Sequence, residues 1–169
     1  MNQLNFPLRV LETAKGMASE IALLKDQAGA VRYAGWYRKL VESGRVIYTG
    51  FYMIARTPHD GRPAVKVVFP MPQGNATVIL RPRLAADGVF ELSSEGAAFG
   101  DVGFYRIQTR SKERLRVWRI RSLKEHFRVY VDDSNTLRCD HGVRFLSLRV
   151  LHLHYRIEPL REAEAGKPA

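Results

Sequence analysis

The sequence predicts an α+β fold, mostly β, with one or two N-terminal helices packed on a curved antiparallel sheet or barrel. Three observations predict it. Apolar residues in the first forty positions recur three or four apart, the spacing of an amphipathic helix. From Arg45 onward the period changes to two, and the composition becomes β-branched and aromatic. Short polar turns then punctuate the chain at the spacing of sequential antiparallel strands.

The helical reading covers residues 8–42. Leu8, Leu11, Ala14, Ala18, Ile21 and Leu24 form its first apolar stripe, after a proline (Pro7) that a helix start tolerates. Gly16 weakens that helix, and Gly29 is a C-terminal stop for it. A second helix is expected from about Val31 to Val41, with Trp36 and Leu40 on one side and Gly44 as its stop.

Residues 45–158 read as an antiparallel meander of about eight strands. "RVIYTGFYMIART" comes first, and "PHDGRP" turns the chain with Asp-Gly at its centre. "AVKVVFPMP" and "ATVILRPRL" follow around "QGN", and "VFELSSEG" follows the turn "AADG". The glycine-rich "AAFGDVGFYRIQTR" starts its strand near Gly103, and "RLRVWRIRSL" and "EHFRVYVDD" come next. "DDSN" and "DHG" are read as turns on either side of "TLRCD". "VRFLSLRVLHLHYRIEP" is read as strand on composition, although a helical spacing competes there. The alternation slips near Val117 and near Ser147, where bulges are expected. Residues 159–169 are expected to fray.

The composition belongs to a single globular domain: 169 residues, 46% apolar and 26% charged. The lone cysteine, Cys139, rules out an intrachain disulfide and suits a reducing compartment. With neither a secretion-type leader nor a long apolar run, the expected location is cytoplasmic. Net charge is +10, and the excess is densest from Arg106 to Arg128, where nine Arg or Lys face two Glu. Such a field attracts anions.

Two Gly-Phe-Tyr triplets, Gly50–Tyr52 and Gly103–Tyr105, open strands with an aromatic ring on each face. A glycine inside a strand marks a bend or a close approach. Arg106 shares a face with Phe104, so the second triplet sets a charge beside an apolar ring. The expected ligand-binding residues are therefore Phe51, Tyr52, Phe99, Phe104, Tyr105, Arg106, Trp118 and Phe127, with Arg106 as the clamp for an anionic head. Glu95 and Asp101 are the charges of the flexible glycine-rich stretch at an expected barrel mouth.

The leading reading is binding of a small apolar or amphipathic, lipid-like molecule in a cavity between curved sheet and helices. The architecture is similar to lipocalin-like and START-like folds, a likeness of architecture alone. A second reading is an enzyme on the same scaffold, using a tyrosine or carboxylate, or a metal at His152 and His154. A third is a basic module for nucleic acid or an anionic membrane surface, with Arg106, Arg110, Arg116, Arg119 and Arg128 sharing one face. No cofactor motif is present, and no motif identifies an activity.

Overall fold

The computed structural model describes residues 16–112 and 114–159. They are all β: β1 (Met17–Lys25), β2 (Val31–Leu40), β3 (Val46–Arg56), β4 (Pro63–Met71), β5 (Gly74–Leu84), β6 (Phe90–Ser93), β7 (Gly103–Ser111), β8 (Arg114–Ile120), β9 (Leu123–Val131), β10 (Leu137–Phe145) and β11 (Leu148–Ile157). This corrects the α+β expectation. The span read as two helices is the hairpin β1–β2, paired from Met17↔Leu40 to Lys25↔Val31. The helical expectation for residues 8–15, and the frayed tail from residue 160 on, lie outside the described residues.

The physical reason lies in the turn. Asp26 N–H donates to Ala30 O (2.9 Å) and Gly29 N–H to Asp26 O (3.0 Å), with Gly29 at φ 81°. This is a three-residue hairpin loop closed by a left-handed residue. A helix C-cap wants a left-handed glycine too, so Gly29 alone does not separate the readings. Asp26 decides: its Oδ1 accepts from Ala28 and Ala30 N–H, and its Oδ2 from Arg32 Nε at 2.6 Å. The β9–β10 loop is built the same way. Asp132 accepts from Ser134 and Thr136 N–H and from Arg138 Nε, and Asn135 takes the left-handed place at φ 57°. The Trp36/Leu40 spacing that suggested a helix face also puts two residues on one face of a strand.

All neighbours are antiparallel, and the sheet curls into a half-barrel in the order β1-β2-β3-β4-β5-β6-β9-β10-β11. β5 forks the sheet. Its first half, Gly74 to Ile79, pairs with β7, and its second half, Arg81 to Leu84, with β6. β7 carries β8 as a two-stranded ribbon. The inner face holds the core, with Val67, Val78 and Leu80 buried against Tyr52, Val65, Phe69, Leu92, Phe104 and Phe127. Burial of such side chains is the main favourable term in folding. No helix is present among the described residues, so none is long and apolar enough to cross a membrane.

Two further boundaries differ from the sequence reading. Asp140–Gly142 is mid-strand in β10, and the reversal falls at Leu146, at φ 56°. The register slips at Val143/Arg144 and at Thr109/Ser111, and pairing is regular at Val117. β8 exposes Leu115 and Val117 on one face and Arg114 and Arg116 on the other, so neither face enforces alternation there.

Candidate functional site

On the inner face two aromatic runs meet around one arginine. β2 and β3 supply the first. Trp36 pairs in register with Gly50, and Tyr48 and Tyr52 flank that glycine on β3. A Cβ on Gly50 would lie 3.1 Å from Tyr48 Oη and 3.2 Å from Phe69 Cε1. The bare glycine is the space through which the Tyr48 hydroxyl reaches and hydrogen-bonds the Tyr52 hydroxyl. Trp36 lies 5.3 Å from Tyr52, and Phe69 meets Tyr48 edge to face at 5.4 Å.

β9, β10 and β11 supply the second run. Phe127 stacks on His141 at 4.0 Å, and His141 lies nearly parallel to Tyr155 at 6.5 Å. His141 Nε2 hydrogen-bonds Glu125 Oε1 at 2.6 Å, with both side chains largely buried.

Arg38 closes the gap between the two runs. Its guanidinium carbon sits 4.9 Å from the Trp36 ring centre, 5.7 Å from Tyr48 and 5.3 Å from Tyr155. Its Nε donates to Ser19 Oγ at 3.3 Å. Among the described residues it has no carboxylate within 4 Å. Aromatic faces hold a guanidinium without neutralising it. Trp36 Nε1 is buried without a hydrogen-bond partner, which is rare for a buried donor.

Burial pushes the Tyr48 phenol well above its usual range, and the Tyr52 hydroxyl and the charges of Glu125 add to the rise. Burial likewise carries Tyr52 up to about 12. Tyr155 is raised by burial, with Arg38 opposing. All three phenols are therefore neutral hydroxyl donors near neutral pH. Burial, then the Asp140 charge, raises the Cys139 thiol, which disfavours a reactive thiolate.

The expected ligand-binding residues divide. Tyr52, Phe104 and Phe127 are on the inner face and belong to the core. Arg106 and Trp118 pair across β7–β8 on that same face. Arg106 is not a free clamp, because its guanidinium donates to the carbonyls of Asn75 (2.9 Å), Ile107 (2.6 Å) and Pro72 (3.1 Å). Phe51 points to the outer face, in a shallow apolar groove with Leu24, Tyr33, Met53 and Val68.

Tyr105 is buried on the outer face beneath the glycine-rich stretch. Its hydroxyl donates to Asp101 O at 2.6 Å and accepts from Gly100 N–H, while the exposed Phe99 packs edge-on against its ring. That stretch is tied down by hydrogen bonds and ion pairs. Arg119 threads past Gly103, which has φ 149°, to the carbonyls of Gly96, Ala97 and Val102. Asp101 caps Ala97 and Val102 N–H and pairs with Arg81 at 3.2 Å, whereas Glu95 pairs with Arg144.

The arginines do not share one face. Arg106 and Arg116 are on the inner side, whereas Arg119 pairs with Tyr105 and Arg128 with Glu91 on the outer side. His152 and His154 lie side by side, and His154 bonds Asp140 at 2.7 Å. No group of three His, Cys, Asp or Glu able to hold a metal occurs among the described residues.

Sequence reasoning missed Arg38, Tyr48, Glu125 and His141. Arg38 was hidden by the helical reading and His141 by the turn reading. The Glu125 signal was available, since alternation from Phe127 puts it on the core face. Compared with known proteins, the chain matches no family model, no curated protein and no solved structure.

Proposed function

We propose that the protein binds a small amphipathic molecule with an anionic head on the inner face of the half-barrel. The observation that carries this reading is Arg38, a cation ringed by Trp36, Tyr48 and Tyr155 and lacking a carboxylate partner among the described residues. A carboxylate or phosphate group would neutralise it and accept from the neutral tyrosine hydroxyls. The orphaned Trp36 N–H is a further donor in the same cluster.

The apolar part of such a ligand has a surface to cover. The inner-face residues Leu23, Ile54, Leu84, Phe90, Val131 and Ile157 are exposed. They cluster at one end of the half-barrel, at the ends of β1, β3, β5, β9 and β11 and the start of β6. Arg38, Tyr48 and Glu125 lie toward the other end of β2, β3 and β9. This polar-to-apolar gradient suits an amphiphile. The outer groove around Phe51 has no charged group among its lining residues to hold a head.

Native mass spectrometry of protein purified from its own host tests the reading. The expected result is a co-purifying anionic amphiphile at one per chain. Ligand-free protein that also fails to take up a fluorescent long-chain carboxylic acid contradicts it.

A further inference from the structure

We infer that the β7–β8 ribbon is a docking surface for an anionic lipid membrane. β7 is laddered to β5 on one side and to β8 on the other, and β8 has no strand on its outer edge among the described residues. Arg110, Lys112, Arg114, Arg116 and Arg121 lie on the ribbon or at its ends, and none has a described carboxylate within 4 Å. Elsewhere in the sheet Arg32, Arg81, Arg83 and Arg138 are each paired to an acid, and Arg38 is held by aromatic rings instead. Cations with no described acid partner, gathered on one edge of the sheet, are complementary to an anionic surface.

Nucleic acid shares that charge, and the apolar residues separate the two partners. Leu115 is 66% exposed, and Val117 and Ile120 are more than one-third exposed. Leu115 and Val117 alternate with Arg114 and Arg116 along β8, so the two pairs project from opposite sides of one strand whose outer edge carries no further described strand, and Ile120 shares the side of the cations. Aliphatic side chains give up water readily to an acyl boundary, but they offer no ring on which a base can stack. The single aromatic ring of β8, Trp118, is only partly exposed and lies under the Arg116 guanidinium at 4.8 Å. Cations with interspersed exposed aliphatics therefore favour a lipid surface. The inference does not depend on the inner-face ligand.

The test is sedimentation of the full chain with phosphatidylcholine vesicles, with and without about one-quarter phosphatidylglycerol, at about 0.1 M salt. The expected result is binding to the anionic vesicles alone. Leu115→Ser with Val117→Ser lowers that partition about tenfold, because both aliphatic contacts are lost. The same double variant keeps its retention on a polyanion column and its thermal midpoint. Arg110→Glu with Arg114→Glu abolishes both vesicle binding and retention.

Three results overturn the inference. One is no binding to anionic vesicles. Another is a serine double variant that sediments like the parent. The third is a single-stranded oligonucleotide that displaces the protein from the vesicles at low excess.

Discussion

The guanidinium of Arg38 on β2 lies 5.3 Å from the ring centre of Tyr155 on β11, joining strands at the two sides of the curled sheet. β2 and β11 share no ladder, so side chains make this closure. A double-mutant cycle with Arg38→Ala and Tyr155→Ala is expected to give a coupling of about 0.5–2 kcal/mol, the range for cation–aromatic contacts from exposed to desolvated. Urea unfolding of the four proteins measures it. Strictly additive effects contradict the closure.

Gly50 holds the space that the Tyr48–Tyr52 hydrogen bond needs. Gly50→Val places side-chain carbons where Tyr48 Oη and the Phe69 ring already lie, 3.1 and 3.2 Å from the Cβ position. The expected cost is about 1–3 kcal/mol from overpacking. Gly142→Ala is the control, because its Cβ would meet nothing nearer than 4.0 Å. Denaturant midpoints of the two variants check the contrast.

Leu146 occupies a left-handed backbone position, φ 56°, at the β10–β11 reversal and is 65% exposed. Leu146→Gly removes the Cβ conflict and loses little burial. A gain of about 1 kcal/mol is expected, read as a raised thermal midpoint.

The β3–β4 turn is expected to contribute to acid lability, alongside the carboxyls of Asp26, Asp101 and Asp132, which are likewise lowered. The Thr57 hydroxyl hydrogen bond, with help from Arg62 N–H and Arg81, holds the Asp60 carboxyl at about 2. A folded-state value below the unfolded one contributes stability above the unfolded value, and that stability is lost as pH falls through the folded value. Stability should therefore decline from about pH 4 toward pH 2, and Asp60→Asn should flatten that limb. Urea midpoints across this range decide it; an unchanged slope in the variant contradicts the assignment.

Much of the β region was legible because one buried face enforces alternation. The Phe127/Val129 face, the turns at Pro58–Pro63 and Ala85–Gly88, and the strand start at Gly103 follow from the residues alone. The first hairpin was not legible from apolar spacing, because β1 exposes Ile21, Leu23 and Leu24 on both of its faces. With no face fully buried, period two leaves little trace. The Asp26–Arg32 and Asp132–Arg138 pairs, each an aspartate six residues before an arginine across a loop, were the readable signal.

The candidate site was half legible for a related reason. Alternation puts Tyr52, Phe104 and Phe127 inside, but the cation that faces them comes from a hairpin read as helix. Arg106 had the expected face, but its guanidinium is taken up by the carbonyls of Pro72, Asn75 and Ile107, a proximity that depends on how β4, β5 and β7 meet.

Titration with a fluorescent long-chain carboxylic acid tests the central claim most directly, comparing the parent protein, Arg38→Ala and the paired surface arginine variant Arg83→Ala. The expected result is saturable binding by the parent and by Arg83→Ala, and affinity at least about tenfold weaker in Arg38→Ala, the loss of one charge-assisted contact. Equal affinity in all three proteins, or no saturable binding by the parent, would contradict the account.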